Sequence, residues 1–192
     1  MDAHREKIWQ RGSTKEIMRE ARKHFHDMVG KSPVAAHVAL ASVHYSLVNR
    51  YTGGWQKPMA VLHLWRAVRH ADYAGKRARL FSWMTIDQID VVTTIWRKAP
   101  FWLGGNLRLA RRGVVSALSP YHTGASAIKP HTRALLLISR GEIERVAGGM
   151  DAARKNYDAA FALVPAIERE DSPDRERQLV RVMSAVGFFY LD

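Results

Sequence analysis

The residue types best suited to chemistry are basic side chains on both sides of a proline and glycine loop, with Phe101 and Trp102 inside the loop. The basic residues are Arg97, Lys98, Arg108, Arg111 and Arg112. The last three share one face of a predicted helix, so their positive charges add. Such a surface predicts binding to phosphates or to an acidic protein, with the aromatic rings stacked on bases. The competing interpretation is a solvated basic face with both aromatic rings in the core.

A second basic cluster is predicted at a turn between two helices, where it would suit a phosphate group. It comprises Lys76, Arg77 and Arg79 beside Arg66, Arg69 and His70. Of these residues, Arg77 and Arg79 are expected to contact the partner. Solvation of the charged side chains is again the competing explanation.

Nine histidines raise the question of a metal site. A helix that binds zinc usually presents two histidines four residues apart, and the histidine pairs along this chain lack that spacing. His37 and His44, like His63 and His70, are seven residues apart. That spacing puts each pair about 10 Å apart along one helix face, too far to share one ion without other ligands. The sequence therefore predicts no metal site and no cofactor.

Catalytic groups are sparse. Asp87 and Asp90 lie on one predicted helix face, but Thr85 and Gln88 beside them indicate helix-start electrostatics. The sequence contains no P-loop, no nucleophile elbow and no dinucleotide-binding glycine motif. A helical enzyme that uses histidines and carboxylates is therefore the third hypothesis, behind two non-catalytic ones.

The net charge of +12 is distributed unevenly along the chain. Residues 1–130 contain 21 lysines and arginines against 8 acidic residues, whereas residues 131–192 contain 9 and 10. No acidic residue lies between Asp90 and Glu142. A field of one sign favours an acidic partner. The absence of cysteine excludes disulfides, cysteine-ligated zinc and thiol catalysis.

The elements that must position these residues are helices. Ser13 with Glu16, and Thr85 with Gln88, have the capping-box pattern, in which each side chain satisfies a free backbone N–H of the other residue. Gly75 is predicted to end the helix that begins near residue 58, because glycine takes a left-handed conformation cheaply. These helix-start and helix-end signals therefore predict a succession of helices separated by short turns.

These helices are expected to form one continuous domain with four parts. An N-terminal arm covers residues 1–12, a basic helical part residues 13–118, and a loop residues 119–130. Residues 131–192 contain a helical hairpin and a C-terminal helix. The broad apolar face of that last helix is expected to dock on its own chain or on a second copy, which would make a homo-oligomer.

The hairpin pattern in residues 131–165 is the most informative stretch. Small residues stand where two helices must touch, an aromatic residue lies beside them, and a proline follows. These residues are Gly141, Ala153, Tyr157, Ala160 and Pro165. In their spacing the chain resembles a tetratricopeptide repeat, with a fainter copy on residues 41–74. Arg140 and Glu144 depart from the pattern, which usually has leucine and an aromatic residue there. The resemblance implies antiparallel helix pairs that bind a peptide or protein in a concave groove.

The fold is therefore predicted to be all-α, with about seven to eight helices in antiparallel hairpins that form a TPR-like solenoid or a compact helical array. The leading functional hypothesis is a non-catalytic interaction or scaffold module whose basic surface receives an acidic protein or peptide. The alternative is a protein that binds RNA or DNA through residues 97–112. With no run of eighteen apolar residues and a mixed-charge N-terminus, we expect no transmembrane segment and a cytoplasmic location.

Overall fold

The computed structural model describes residues 12–51, 56–77, 84–119 and 128–191. Arg79, the N-terminal arm up to residue 11 and the centre of the predicted loop at 119–130 lie outside these ranges. Every regular element within them is a helix, which confirms the predicted all-α class. Among the described helices none is long and apolar enough to cross a lipid bilayer.

Eight of the described α-helices have at least twelve residues, and α8 has five. They are α1 (Thr14–Val29), α2 (Pro33–Val48), α3 (Lys57–Arg77), α4 (Ile86–Lys98), α5 (Leu107–Leu118), α6 (Pro130–Val146), α7 (Met150–Phe161), α8 (Val164–Glu168) and α9 (Arg175–Leu191). Short 3₁₀-helices cover Asn49–Tyr51 and Phe101–Leu103.

Both predicted capping boxes are present. The Glu16 backbone N–H donates to Ser13 Oγ at 3.3 Å, and the Ser13 N–H donates to the Glu16 carboxylate at 2.8 Å. Thr85 and Gln88 repeat the arrangement at 3.3 and 3.1 Å. Each box satisfies two backbone donors that the first turn of a helix leaves free, so α1 and α4 begin where the sequence predicts.

The chain divides into two compact units, Met1–Asn106 and Leu107–Asp192. This boundary precedes α5, whereas the predicted loop covers residues 119–130. Helix α5 belongs to the second unit because it packs against α6.

In the first unit α2 is the central helix, with α1, α3 and α4 packed against it. It is apolar on nearly every side, as expected for a helix surrounded by others. Alanines that are completely buried let the backbones of α2 and α3 lie close together. They are Ala36, Ala41, Ala67, Ala71 and Ala74. Ile17 and Leu47 belong to the apolar cluster between α1 and α2.

Gly75 has a different role from the one predicted. Helix α3 continues through it to Arg77, so Gly75 does not end the helix. A Cβ atom at this position would lie 2.8 Å from Cη2 of Trp96 in α4. The Trp96 ring is buried, and its Nε1 donates to Asp72 at 2.7 Å. The glycine therefore makes room for a large aromatic ring between α3 and α4.

The second unit is built on the α6–α7 hairpin. A Cβ atom on Gly141 would lie 2.8 Å from the ring of Tyr157, so only glycine allows this close approach. Ala153 and Ala160 are fully buried in the same cluster as Tyr157. Pro165 is exposed and lies in the first turn of α8, where its missing N–H costs nothing.

Helix α9 docks on this hairpin. Its Val182 and Val186 are buried in the cluster that contains Tyr157, and the Phe189 ring stacks on the Tyr157 ring at 4.2 Å. Val180 and Leu191 remain exposed on the outer side of α9. The inner side of the apolar face of α9 therefore docks on its own chain, which is one of the two predicted alternatives.

Candidate anion-binding cleft

The basic residues predicted around the proline and glycine loop belong to both units. Arg97 and Lys98 end α4 in the first unit, and the three arginines of α5 lie in the second. Arg108, Arg111 and Arg112 are all exposed, as expected for one basic face.

Arg111 forms an ion pair with Glu144. Its Nε donates to Glu144 Oε1 at 2.9 Å, and the Glu144 side chain is only 7% exposed. A buried carboxylate needs such a partner, because an unpaired one would be costly to desolvate. Glu144 is also one of the two departures from the tetratricopeptide pattern, and the ion pair gives it a structural role. The predicted phosphate-binding face on α5 therefore has one positive charge fewer to offer a ligand.

Phe101 and Trp102 lie on the surface. Their side chains are 90% and 71% exposed, so the interpretation that places them in the core is wrong. The turn that carries them is held by backbone hydrogen bonds from Gly105 to Pro100 at 3.0 Å and from Asn106 to Trp96 at 2.9 Å. The two rings therefore project from an ordered turn.

Arg77, the predicted contact of the second cluster, is exposed at the end of α3. Its Nε donates to the Tyr73 hydroxyl at 3.2 Å, and its guanidinium lies 5.6 Å from the centre of the Tyr73 ring. Arg69 packs over Trp65 at the same distance, 5.6 Å. These two arginines cover aromatic rings of α3, a common arrangement for exposed arginine.

A cleft between α1 and α3 brings basic side chains of two helices to one concave surface. Its volume is about 940 Å³. Its basic residues are Lys15, Arg19 and Arg22 from α1 and Arg66 from α3. Met18, Met59 and Tyr51 supply apolar surface, and His63 also lines it. The sequence analysis missed the three residues of α1, although their spacing of four and three residues is the pattern of one helix face.

The positive charge of this cleft exceeds its negative charge, with four basic side chains against one carboxylate. Within the described part of the chain, none of its four basic side chains lies in an ion pair or donates a hydrogen bond. The one carboxylate in the cleft, Glu16, accepts hydrogen bonds from Ser13, which together with the charge of Arg19 lower the pKa of Glu16. Unpaired cations around a concave surface attract anions.

His63 connects the cleft to a row of imidazoles between α2 and α3, of which His44 and His63 are buried and His37 and His70 half-buried. Its Nδ1 lies 2.8 Å from Nδ1 of His44, and both side chains are buried. Two helical turns further along, Nδ1 of His37 lies 2.8 Å from Nδ1 of His70. The rings of His44 and His70 stack between the two pairs at 5.9 Å. The sequence analysis compared histidines along single helices, but the pairs form across two antiparallel helices.

In each pair at least one imidazole is neutral, because a nitrogen must offer a lone pair to accept the proton of the other. Burial, followed by the charge of His63 and of other cations, lowers the pKa of His44 to about 3. Burial and the charge of His37 lower the pKa of His70 to about 4. The pKa values of His37 and His63 are also lowered, chiefly by burial. The described residues include no group of three or more metal-ligating side chains.

Comparisons with known proteins assign no family. No protein-family model, curated protein or solved structure matches the chain. The cleft, the imidazole row and the Gly141–Tyr157 contact are therefore the features on which a function can be argued.

Proposed function

We propose that the protein is a non-catalytic interaction module that binds an acidic protein or peptide in the α1–α3 cleft. The observation that carries the proposal is the set of four basic side chains around this cleft, without ion pairs among the described residues. Binding energy would come from charge-assisted hydrogen bonds between arginine and carboxylate groups.

The lining of the cleft favours a peptide over a small inorganic anion. Met18, Met59 and Tyr51 provide apolar surface between the cations. Methionine side chains adapt to ligands of irregular shape, and an aromatic ring contributes apolar area together with a hydroxyl group. A peptide with alternating acidic and apolar side chains would use both kinds of surface.

The second unit would serve as scaffold in this proposal. Its hairpin resembles a tetratricopeptide repeat in Gly141, Ala153, Tyr157, Ala160 and Pro165, and that resemblance implies binding of peptides or proteins. Gly141 and Tyr157 are in close contact, and the resemblance itself rests on the sequence pattern.

Nucleic acid is the second candidate partner, because Phe101 and Trp102 are exposed next to Arg97 and Lys98. Aromatic rings beside basic residues are a common platform for single strands. Binding of this kind would weaken steeply with salt as counterions are released, and it would depend on Trp102.

The proposal is tested by titrating the full chain with a fluorescent octa-aspartate peptide at about pH 7.5, where the peptide is fully ionised. The variant Lys15→Gln/Arg19→Gln/Arg22→Gln removes three charges from the cleft. The control Lys23→Gln/Lys31→Gln/Lys57→Gln removes three exposed charges of the same unit that do not line it.

We expect the cleft variant to bind at least about tenfold more weakly than wild type, a loss of about 1.4 kcal/mol, and the control to bind within about twofold of it. Equal weakening in both variants would mean that only net charge matters and would overturn the assignment of the cleft. A single-stranded oligonucleotide titrated in parallel distinguishes the alternative, which predicts tighter, salt-steep binding lost on Trp102→Ser.

A further inference from the structure

We propose that the α1–α3 cleft is proton-linked: the His44–His63 pair takes up one proton when a polyanion occupies the cleft, so acidic partners bind more tightly at mildly acidic pH. The inference rests on the proposed function, because it concerns the regulation of the same cleft. It joins two observations, the unpaired cations of the cleft and the imidazole pair in its wall.

The geometry of the pair sets its capacity for protons. With the two Nδ1 atoms 2.8 Å apart, a single proton lies between them and the donor ring keeps a lone pair on its Nε2. A proton added to that Nε2 leaves the hydrogen bond intact and makes it charge-assisted. A second added proton would occupy the accepting Nδ1 and force two cations together. The pair can therefore take up one proton without being disrupted.

Burial is the main reason that the pair stays neutral in the absence of a ligand. The charges that face the pair add to this effect, and His70, which stacks on His44, is one of them. Helix α1 contributes Arg22 and helix α3 contributes Arg66, and both are near His44. Burial is the largest cause of the lowered pKa of His63, followed by the charge of Arg66. The Tyr51 ring stacks on His63 at 5.4 Å. The nearest carboxylate of the cleft, Glu16, is bound to Ser13.

A bound polyanion changes this balance. Its carboxylates would lie against Arg22 and Arg66, since both side chains line the cleft. Their negative charge offsets the repulsion that these arginines exert on the imidazole pair, so the protonated form becomes more favourable. Binding of the anion and uptake of the proton therefore strengthen each other, as thermodynamic linkage requires.

The second imidazole pair provides a matched control within the same helices. His37 and His70 have the same Nδ1 to Nδ1 distance, 2.8 Å, but neither lines the cleft. The repulsion on His37 comes from Arg77 at the end of α3, after the larger effect of burial. On His70 the charge of His37 acts before that of Arg66, and burial is again the largest effect. Removal of this pair should leave the linkage to cleft binding in place.

The test compares the affinity for octa-aspartate at about pH 7.5 and about pH 5.5, a range over which aspartate remains ionised. Wild type, His63→Gln and His37→Gln are measured at one ionic strength. We expect wild type and His37→Gln to bind about fivefold more tightly at the lower pH, which requires occupation of the cleft to raise the pKa of the pair from well below about 5.5 to about 6. His63→Gln should show less than about a twofold change.

Titration calorimetry of wild type in two buffers of different ionisation enthalpy measures proton uptake without any substitution, and we expect a value between zero and one proton per peptide. Binding that is equally tight at both pH values in wild type, or a gain that persists in His63→Gln, would overturn the inference while leaving the cleft as the binding site. A gain lost equally in His37→Gln would overturn the assignment to the His44–His63 pair. Absence of peptide binding at both pH values would overturn this inference and the proposed function together.

Discussion

The two units place different chemistry between their principal helices. In the first unit, α2 and α3 enclose two imidazole pairs, His37 with His70 and His44 with His63. In the second unit, α6 and α7 meet through Gly141 and Tyr157, a contact that contains no titratable group near neutral pH. Residues 1–106 also contain 17 basic and 8 acidic residues, whereas residues 107–192 contain 13 and 10.

The comparison shows that the imidazole pairs of the described residues lie in one of the two units. An imidazole pair keeps its hydrogen bond only while at least one ring is neutral. Acid is therefore expected to destabilise the first unit. In the second unit, burial raises the pKa of Glu170, but hydrogen bonds from His131 outweigh this effect and lower it overall. Its contribution is present above the usual pKa of glutamate, about 4.3, and is lost at lower pH.

The largest expected effect is therefore destabilisation of the first unit by mild acid. An unfolded histidine has a pKa of about 6.5, whereas the pKa values of His44 and His70 in the folded state are about 3 and about 4. Below about pH 6.5 the unfolded chain binds more protons than the folded chain, so stability falls with pH. From about pH 6.5 to about pH 5 these two residues together should cost about 3 kcal/mol.

Hydrogen exchange detected by mass spectrometry resolves this effect along the chain. Peptides from α2 and α3 should lose protection, after correction for intrinsic rates, at a higher pH than peptides from α6 and α7. Equal loss in both units would contradict the contrast between them.

A smaller effect is expected from removing the partner of Glu144. Arg111→Ala should lower the free energy of unfolding of the second unit by about 1–3 kcal/mol, because it leaves a buried carboxylate without its ion pair. Arg112→Ala is the matched control, since Arg112 is exposed on the same helix and should change stability by less than about 0.5 kcal/mol. Urea unfolding of both variants measures the difference, and adding Glu144→Gln to Arg111→Ala should restore part of the loss.

Two glycines of the second unit should respond with opposite signs to alanine. Gly141→Ala places a methyl group 2.8 Å from Tyr157, so overpacking of about 1–3 kcal/mol should exceed the gain in helix propensity. Gly187→Ala in α9 meets nothing within 4 Å and should stabilise the protein by about 0.5–1 kcal/mol. Thermal unfolding compares the two variants, and stabilisation by Gly141→Ala would show that the hairpin is packed less closely than described.

The smallest expected effect concerns the exposed aromatic turn. Phe101→Ser/Trp102→Ser should change the free energy of unfolding by less than about 0.5 kcal/mol, because both rings lie in solvent. Octa-aspartate binding should also be unchanged, since neither residue lines the cleft. A loss of peptide affinity in this variant would move the binding surface to residues 97–112.

Local features of the fold were predictable from the sequence, because each depends on a few neighbouring residues. The capping boxes at Ser13 and Thr85 involve residues three positions apart, and both are present. The role of Gly75 depends on Trp96 in the next helix, which no local pattern reveals, so the predicted helix end was wrong.

The candidate site was harder to predict for the same reason. Pairing of His37 with His70 and of His44 with His63 requires the register of α2 against α3. The common spacing of seven residues in both helices was the available signal, because two antiparallel helices with equal spacings can match both pairs. Arg111 and Glu144 likewise lie on different helices, so the loss of one charge from the predicted basic face became visible only in the structure.

The most direct test of the account follows the histidine ring ¹⁵N resonances of the full chain at about pH 5.5 with and without octa-aspartate. Without peptide, the rings of His37, His44, His63 and His70 should report neutral imidazoles. Saturation with peptide should shift one ring of the His44–His63 pair toward the charged form and leave the His37–His70 pair unchanged. Four rings that titrate near their ordinary pKa of about 6.5, or a peptide that changes neither pair, would contradict it.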